Sequence, residues 1–164
     1  NAKNAPLKKH ENILVFSKGK TANCSKNNMK YNPQGLVEIN KKRKSVRQDS
    51  DTVVGNRPSR NKEYTAKYTG YPTSVLYFQN EQKRIHPTQK PVALFEYLIR
   101  TYTNENETIL DNCMGSGTTA IACLNTNRQF IVMEKEQKYY DIILKRVGDF
   151  NKNFEHKTLF GNEM

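Results

Sequence analysis

Apolar positions follow a helical period in only one half of the chain. After Pro91, which suits the first turn of a helix, apolar residues recur every three or four positions and predict an amphipathic helix over 91–103. A strand, loop, helix, strand and helix follow, with strands predicted over 108–110 and 130–133 and helices over 118–125 and 137–147. This alternation predicts a βαβα unit whose two strands are parallel.

The residues before His86 carry weaker signals. Two short apolar runs, at 12–16 and 74–78, predict one strand each. No clear period appears between them, and the segments 41–44 and 56–71, rich in Asn, Arg, Lys, Gly and Pro, predict extended loops. This half of the chain therefore offers little core of its own.

Composition limits the class of protein. The chain has 164 residues, of which 35% are hydrophobic, and a mean hydropathy of -0.87, so we expect one modest core and a large solvated or partner-bound remainder. No apolar stretch approaches the roughly 18 residues that span a bilayer, and the first residues do not form a secretion signal. The three cysteines fit neither a metal site nor a disulfide framework and favour a reducing cytoplasm: Cys24, Cys113 and Cys123.

Basic charge is concentrated before His86. Residues 1–85 carry 18 basic and 6 acidic side chains, whereas residues 86–164 carry 9 and 10. Tyrosines lie among the charges, which favours nucleic acid as the partner, because rings contact bases while Lys and Arg hold phosphates. A solvated loop is the competing interpretation. The candidate DNA-binding residues are Lys41, Lys42, Arg43, Lys44, Arg47, Arg57, Arg60 and Lys62.

The loop after the first strand of the βαβα unit carries the candidate chemistry. Gly115 and Gly117 allow a sharp turn and a close approach to a ligand, and the helix starting at Thr118 points free N–H groups there. Together with Ala120 they satisfy the dinucleotide-binding pattern. Asp111 argues against NAD, because it would repel a pyrophosphate but attract the cationic end of S-adenosylmethionine. Alternatively, Asp111 only caps the glycine turn.

A second carboxylate follows the next predicted strand. Glu134 lies 23 residues after Asp111, where an acid in doubly wound nucleotide sites accepts hydrogen bonds from ribose hydroxyls. The alternative is a surface carboxylate in the charged run 134–136.

Two segments carry a resemblance to a known family. LDNCMGSGTT at 110–119, preceded by HPTQKP at 86–91, resembles the β class of amino-group DNA methyltransferases, and residues 8–16 are similar to a late strand of that family. The resemblance implies an α/β, partial Rossmann-like S-adenosylmethionine-dependent methyltransferase fold with an irregular basic target-recognition insertion. Residues 1–20 would be the late strand, 21–85 the basic target-recognition region and 86–164 the S-adenosylmethionine-binding βαβ region.

The resemblance also implies a set of cofactor-binding residues. Asp111 and the glycine loop would hold the methionine end of S-adenosylmethionine, Glu134 the ribose, and Lys90 the methionine carboxylate. The full set is His86, Thr88, Lys90, Asp111, Cys113, Gly115, Ser116, Gly117, Thr118, Thr119 and Glu134. No metal ion is expected.

The family's catalytic Asp-Pro-Pro-Tyr-like tetrad is absent, because no Pro-Pro pair occurs in the sequence. We therefore expect a C-terminal portion of an enzyme, with no catalytic residue in this chain and little activity alone. The complete enzyme would methylate the exocyclic amine of a flipped base, with adenine N6 as the first choice of target and cytosine N4 as the second. It would be a cytoplasmic protein, bacterial or phage-encoded, of a restriction–modification system. Expected partners are duplex DNA and either the missing N-terminal portion or a second copy. The alternatives are a non-catalytic DNA-binding remnant and a dinucleotide-dependent oxidoreductase.

Overall fold

The computed structural model describes residues 9–20, 26–44, 63–82 and 85–159, with side chains through 152. The chain divides into two units, Asn1–Lys30 and Tyr31–Met164. In the larger unit the described residues form β1 (Val37–Lys44), β2 (Glu63–Thr69), α1 (Val92–Tyr102), β3 (Thr108–Asp111), α2 (Thr118–Asn125), β4 (Gln129–Val132) and α3 (Gln137–Leu159).

The predicted βαβα unit is confirmed. Strands β3 and β4 are parallel, with Thr108 opposite Gln129 and Asp111 opposite Val132, and α2 connects them. Partly buried Ile109 and Phe130 pack on the helices from one face of this pair. The α/β fold class expected from the sequence is therefore correct.

Helix α1 packs against α2 with the face that its periodicity predicts. Val92, Phe95 and Ile99 pack with Ala122 and Cys123 of α2. The helix begins after Pro91, whose fixed φ of -61° suits this position. Glu81 supplies an acceptor there, because its Oε1 lies 3.2 Å from the Val92 main-chain nitrogen.

Helix α2 is short and nearly enclosed. Ala120, Ala122 and Cys123 are fully buried, and small side chains at these positions let the helix lie close to its neighbours. Burial raises the pKa of the Cys123 thiol to about 11, so this cysteine is a core residue and a poor nucleophile. The sequence prediction of a helix over 118–125 is confirmed.

Helix α3 extends further than its apolar pattern. The predicted end at residue 147 is wrong, because the helix continues to Leu159. Ile143 and Val147 pack against Met114 and Ala120, and none of residues 148–152, the last ones with described side chains, belongs to this cluster. Polar residues can continue a helix that already has a packed nucleus, since each added residue closes one more hydrogen bond.

The other face of the β3–β4 pair is apolar and exposed. Leu110 and Ile131 lie opposite each other in the register, and they are 64% and 55% exposed. Met133, just past the end of β4, is 53% exposed. We refer to these three residues as the outer sheet face.

The two strands predicted from short apolar runs are not formed. Residues 12–16 have no strand pairing, and the only bridge in the described part of that unit joins Lys20 to Asn28. Residues 74–78 also form no strand, and the Phe78 ring lies 6.0 Å from that of Tyr97 in α1. Backbone groups need a neighbouring strand to form a ladder, and neither run finds one among the described residues.

The segment 41–44, predicted as a loop, is part of a strand. It belongs to β1, which pairs antiparallel with β2 to form a two-stranded ribbon. The ribbon escaped the sequence prediction because nearly all of its side chains are exposed on both faces, so no alternation of apolar and polar residues marks it.

Candidate functional site

The candidate site lies where the two parallel strands end. Asp111 is the last residue of β3, and Glu134 follows the end of β4 by two residues. The main chain ties these ends together, because Met133 N–H donates to the Asp111 carbonyl at 2.9 Å and Met114 N–H donates to the Met133 carbonyl at 3.0 Å. In open parallel sheets ligands bind at this edge.

Asp111 holds the loop that follows it. Its Oδ1 accepts a hydrogen bond from Cys113 N–H at 3.1 Å, and its Oδ2 accepts one from the Thr119 hydroxyl. The carboxylate thus joins the start of the loop to the first turn of α2. Each carboxylate oxygen has two acceptor sites, so both oxygens keep one for a ligand.

Two glycines shape the loop. Gly115 and Gly117 have φ values of 59° and 84°, in the left-handed region that side chains disfavour. A Cβ on Gly117 would lie 3.1 Å from Ile143 Cγ1, so the packing of α3 also disfavours a side chain at this point.

Glu134 accepts hydrogen bonds from the same loop. Its Oε2 lies 2.8 Å from Gly115 N and its Oε1 lies 3.0 Å from Glu136 N. These N–H groups, that of Glu136 first and that of Gly115 second, lower the pKa of the Glu134 carboxyl group, and the nearby His86 lowers it further. Glu134 is therefore a carboxylate at neutral pH.

His86 closes one side of the glycine loop. A Cβ on Gly115 would lie 3.6 Å from His86 Cδ2, so the ring lies beside the loop at this glycine. Thr88 N–H donates to His86 Nδ1 at 3.2 Å, and the Thr88 hydroxyl lies 3.0 Å from the same nitrogen. Because Nδ1 accepts, the neutral ring carries its proton on Nε2.

Other predicted residues face inward. Ser116, Thr118 and Thr119 are buried, and the Ser116 and Thr118 hydroxyls lie 3.4 Å apart. The Thr118 hydroxyl donates to the Lys90 carbonyl at 3.3 Å, which attaches the segment after His86 to the start of α2. Cys113, in contrast, is exposed.

Two site residues on α3 were missed from the sequence. The Tyr139 ring contacts the His86 ring edge-on with centroids 4.4 Å apart, and Arg146 Nη1 donates to the Ser116 carbonyl. Burial lowers the pKa of the Arg146 guanidinium, as expected for a cation held against the protein interior. The helix itself was predicted, but no sequence signal shows which of its residues turn toward the loop.

The structure describes half of the candidate DNA-binding residues. Lys41, Lys42, Arg43 and Lys44 are all exposed on β1. The remaining candidates lie outside the described residues: Arg47, Arg57, Arg60 and Lys62.

Known proteins identify the family. A family model described as DNA methylase matches residues 1–145. The chain belongs to this DNA methylase family. Similar curated members include the type II methyltransferases M.BglII of Bacillus subtilis, 40% identical over 97 residues (54% of this chain, 27% of the relative), and M.HindIII of Haemophilus influenzae, 42% identical over 69 residues (42% and 22%).

Solved DNA methylases are also similar. The M1.HpyAVI–SAM complex is 40% identical with a TM-score of 0.41 and covers 56% of this chain and 42% of that one. The cytosine-N4-specific PvuII DNA methyltransferase is 24% identical with a TM-score of 0.44, covering 46% and 32%. The chain spans between 19% and 29% of the length of the curated DNA methylases that it matches.

The described residues contain neither a cluster of three or more His, Cys, Asp and Glu side chains that could hold a metal ion nor a helix long and apolar enough to cross a membrane.

Proposed function

We propose that this DNA methylase chain binds S-adenosylmethionine at the ends of β3 and β4 and belongs to an enzyme that methylates an exocyclic amine in duplex DNA. The observation that carries the proposal is the convergence of Asp111 and Glu134 on one glycine loop, where they accept hydrogen bonds from the N–H groups of Cys113 and Gly115 at 3.1 and 2.8 Å.

The residues present suit the cofactor chemically. A carboxylate at Asp111 attracts the cationic methionine end, and the carboxylate of Glu134 after the next strand suits the ribose hydroxyls. The bends at Gly115 and Gly117 let a ligand approach the loop backbone. When bound, S-adenosylmethionine supplies a methyl group on a sulfonium, which an amine can attack. The chain's own residues bind and orient that group: Asp111, Thr119, Glu134, Gly115 and His86.

The remaining predicted residues have narrower roles in this proposal. Thr88 fixes the His86 tautomer through Nδ1. The start of α2 is shaped from the buried side by Ser116, Gly117 and Thr118. Cys113 lies exposed on the loop. Lys90 is the proposed partner of the methionine carboxylate.

Titration calorimetry tests the cofactor proposal directly. We expect the purified chain to bind S-adenosylmethionine and not NAD, because Asp111 repels a pyrophosphate. Binding of NAD alone would instead support the oxidoreductase alternative, and binding of neither would leave the DNA-binding remnant as the better account.

We further propose adenine N6 as the methylated atom and cytosine N4 as the alternative. Nucleoside analysis of DNA treated with the enzyme and tritiated S-adenosylmethionine distinguishes the two. A bacterial, cytoplasmic restriction–modification role is proposed because the similar curated proteins are bacterial type II methyltransferases.

The second candidate function, DNA binding without catalysis, is favoured by the exposed basic ribbon and by the lack of a Pro-Pro tetrad in the sequence. We expect the chain alone to transfer no methyl group to DNA at a useful rate, because the amine must be held within roughly 3 to 3.5 Å of the methyl carbon. A tritiated-methyl assay on unmethylated duplex measures this, and robust transfer by the chain alone would show that other residues of this chain act on the amine.

A further inference from the structure

The two faces of the β1–β2 ribbon carry different chemistry. Side chains directly opposite each other in a strand pair lie on the same face, and successive residues alternate between faces. Arg43 is opposite Tyr64, Lys41 opposite Ala66, and Glu38 opposite Tyr68. These six residues form what we call the tyrosine face. Lys42 opposite Thr65 and Lys44 opposite Glu63 share the other face with Lys67, which we call the lysine face.

A β-bulge decides which cations join the tyrosines. Between Glu38 and Lys41 the register shifts, so three steps on β1 match two steps on β2. Asn40 has a φ of 43° within the bulge, a conformation that Asn tolerates better than most residues, and its Nδ2 donates to Glu38 Oε1 at 2.6 Å. Without the extra residue the alternation would shift by one and place Lys42 beside the tyrosines.

The tyrosine face is open to a partner. Tyr64 and Tyr68 are 52% and 43% exposed. Among the described residues no aromatic ring stacks on either tyrosine. Exposed rings next to cations suit nucleic acid, because rings stack on bases while cations pair with phosphates.

Charge alone does not select this face. The lysine face carries three cations and one carboxylate, whereas the tyrosine face carries two cations and one carboxylate. The tyrosine face differs by its two exposed rings and by an arginine, whose fork can bind guanine or phosphate through two hydrogen bonds. Water solvates both faces, but among the described residues of the ribbon only the tyrosine face offers aromatic rings to a base or sugar.

We propose that the tyrosine face docks on duplex DNA, with Arg43 and Lys41 contacting phosphates or base edges and Tyr64 and Tyr68 contacting bases and sugars. A two-stranded ribbon fits the major groove in width. The inference rests on the proposed function, since it presumes that DNA is the substrate, and it adds which surface of the chain meets the DNA.

Two charge-matched variants test the choice of face. K41A/R43A and K42A/K44A each remove two cations from neighbouring positions of β1. We expect K41A/R43A to weaken duplex binding at least tenfold and to flatten the log–log salt dependence by about 0.9 for each of the two cations that contacts a phosphate. K42A/K44A should change Kd less than threefold. Equal losses, or a larger loss in K42A/K44A, would overturn the proposal.

The tyrosines are tested separately from charge. We expect Y64L/Y68L to weaken duplex binding about tenfold with an unchanged salt slope, and Y64F/Y68F to retain most of the affinity, because the ring makes the contact. Wild-type affinity in Y64L/Y68L would contradict the proposal. Far-ultraviolet circular dichroism and S-adenosylmethionine titration of every variant confirm that the fold and the cofactor site are intact.

These measurements distinguish failure of the face assignment from failure of the proposed function. If wild-type chain binds DNA and both charge variants lose affinity equally, the face assignment fails while DNA remains the substrate. If wild-type chain binds S-adenosylmethionine but no duplex, the face assignment fails and only the cofactor part of the proposed function remains.

Discussion

The glycine loop and the ribbon hold their functional side chains in opposite ways. In the loop, Asp111 and Glu134 are fixed by hydrogen bonds from main-chain N–H groups, and α2 beneath them is nearly fully buried. In the ribbon, the strands are paired with each other, and nearly every side chain is exposed. A small ligand needs one shape, which backbone contacts provide, whereas a polyanion needs charge over an area, which exposed strands provide.

The difference predicts two kinds of response to substitution. Changes in the loop should have large effects confined to stability and the cofactor, because few groups determine its shape. Changes in the ribbon should affect DNA binding and its salt dependence while leaving the cofactor site unchanged.

The largest expected effect is that of Gly117→Ala. The left-handed backbone costs about 1 to 2 kcal/mol with a side chain, and the 3.1 Å approach to Ile143 adds overpacking of about 1 kcal/mol or more. Urea denaturation should therefore show a loss of roughly 2 to 4 kcal/mol in unfolding free energy. Gly148→Ala is the matched control, since this helical position is open and should gain about 0.5 to 1 kcal/mol. Equal effects of the two changes would contradict this account of the loop.

Asp111→Ala should weaken S-adenosylmethionine binding by about 1 to 3 kcal/mol, the usual cost of a lost charge-assisted hydrogen bond. Calorimetric titration measures this. Asp141→Ala removes the same charge from the exposed side of α3, where Asp141 accepts a hydrogen bond from Gln137, and should leave the affinity unchanged. Unaltered binding by Asp111→Ala would mean that this carboxylate only holds the turn.

Replacing the four cations Lys41 to Lys44 with Ala should reduce duplex affinity at least tenfold and flatten the salt slope by one unit or more. S-adenosylmethionine affinity should not change, which is the sharpest test of the separation between the two regions. An identical slope would mean that these side chains are only solvated, and a weaker cofactor affinity would show that ribbon and loop are coupled.

Tyr139→Leu should weaken S-adenosylmethionine binding by about 0.5 to 1.5 kcal/mol, since the ring supports His86 against Gly115. Tyr140→Leu is the control, because the neighbouring ring is exposed and has no such contact in the described part of the chain. The His86 ring protons should shift in the nuclear magnetic resonance spectrum of the first variant only. Tyr139→Phe should keep the wild-type S-adenosylmethionine affinity and the wild-type His86 ring-proton shifts, because the ring is retained.

The smallest expected effect concerns pH. The pKa of Glu134 is lowered in the folded chain, so its hydrogen bonds stabilise the fold above the ordinary pKa of about 4.3 and are lost as the pH falls through the lower folded value. Melting temperature should therefore decrease on acidification below about pH 4.3, and Glu134→Gln should reduce that decrease. Glu136→Gln, which keeps the main-chain N–H donor, should behave as wild type.

The sequence predicted correctly the helix starts and turns that depend only on residues next to one another in the chain. The start of α1 at Pro91 and the glycine turn before α2 could be read directly, since backbone preference fixes both. A strand, in contrast, depends on a partner elsewhere in the chain. The runs at 12–16 and 74–78 have suitable residues but pair with no strand in the part of the chain that the structure describes. Strand β1, in contrast, pairs with β2 although it has no apolar face.

The same distinction applies to the site. Asp111, Glu134 and the two glycines could be predicted because they lie at strand ends and turns that the sequence marks. Tyr139 and Arg146 could not, because their contacts depend on how α3 is rotated against the loop. That rotation is set by the packing of Ile143 and Val147, which leaves no pattern near His86 or Ser116.

The outer sheet face has a practical consequence for handling the protein. Leu110, Ile131 and Met133 offer an apolar surface to solvent in the folded chain. Dyes such as anilinonaphthalene sulfonate, which fluoresce on exposed apolar surface, should therefore bind the native protein as well as partly unfolded forms. Dye fluorescence is then a poor criterion of misfolding for this chain, and near-ultraviolet circular dichroism from its tyrosines is the better one.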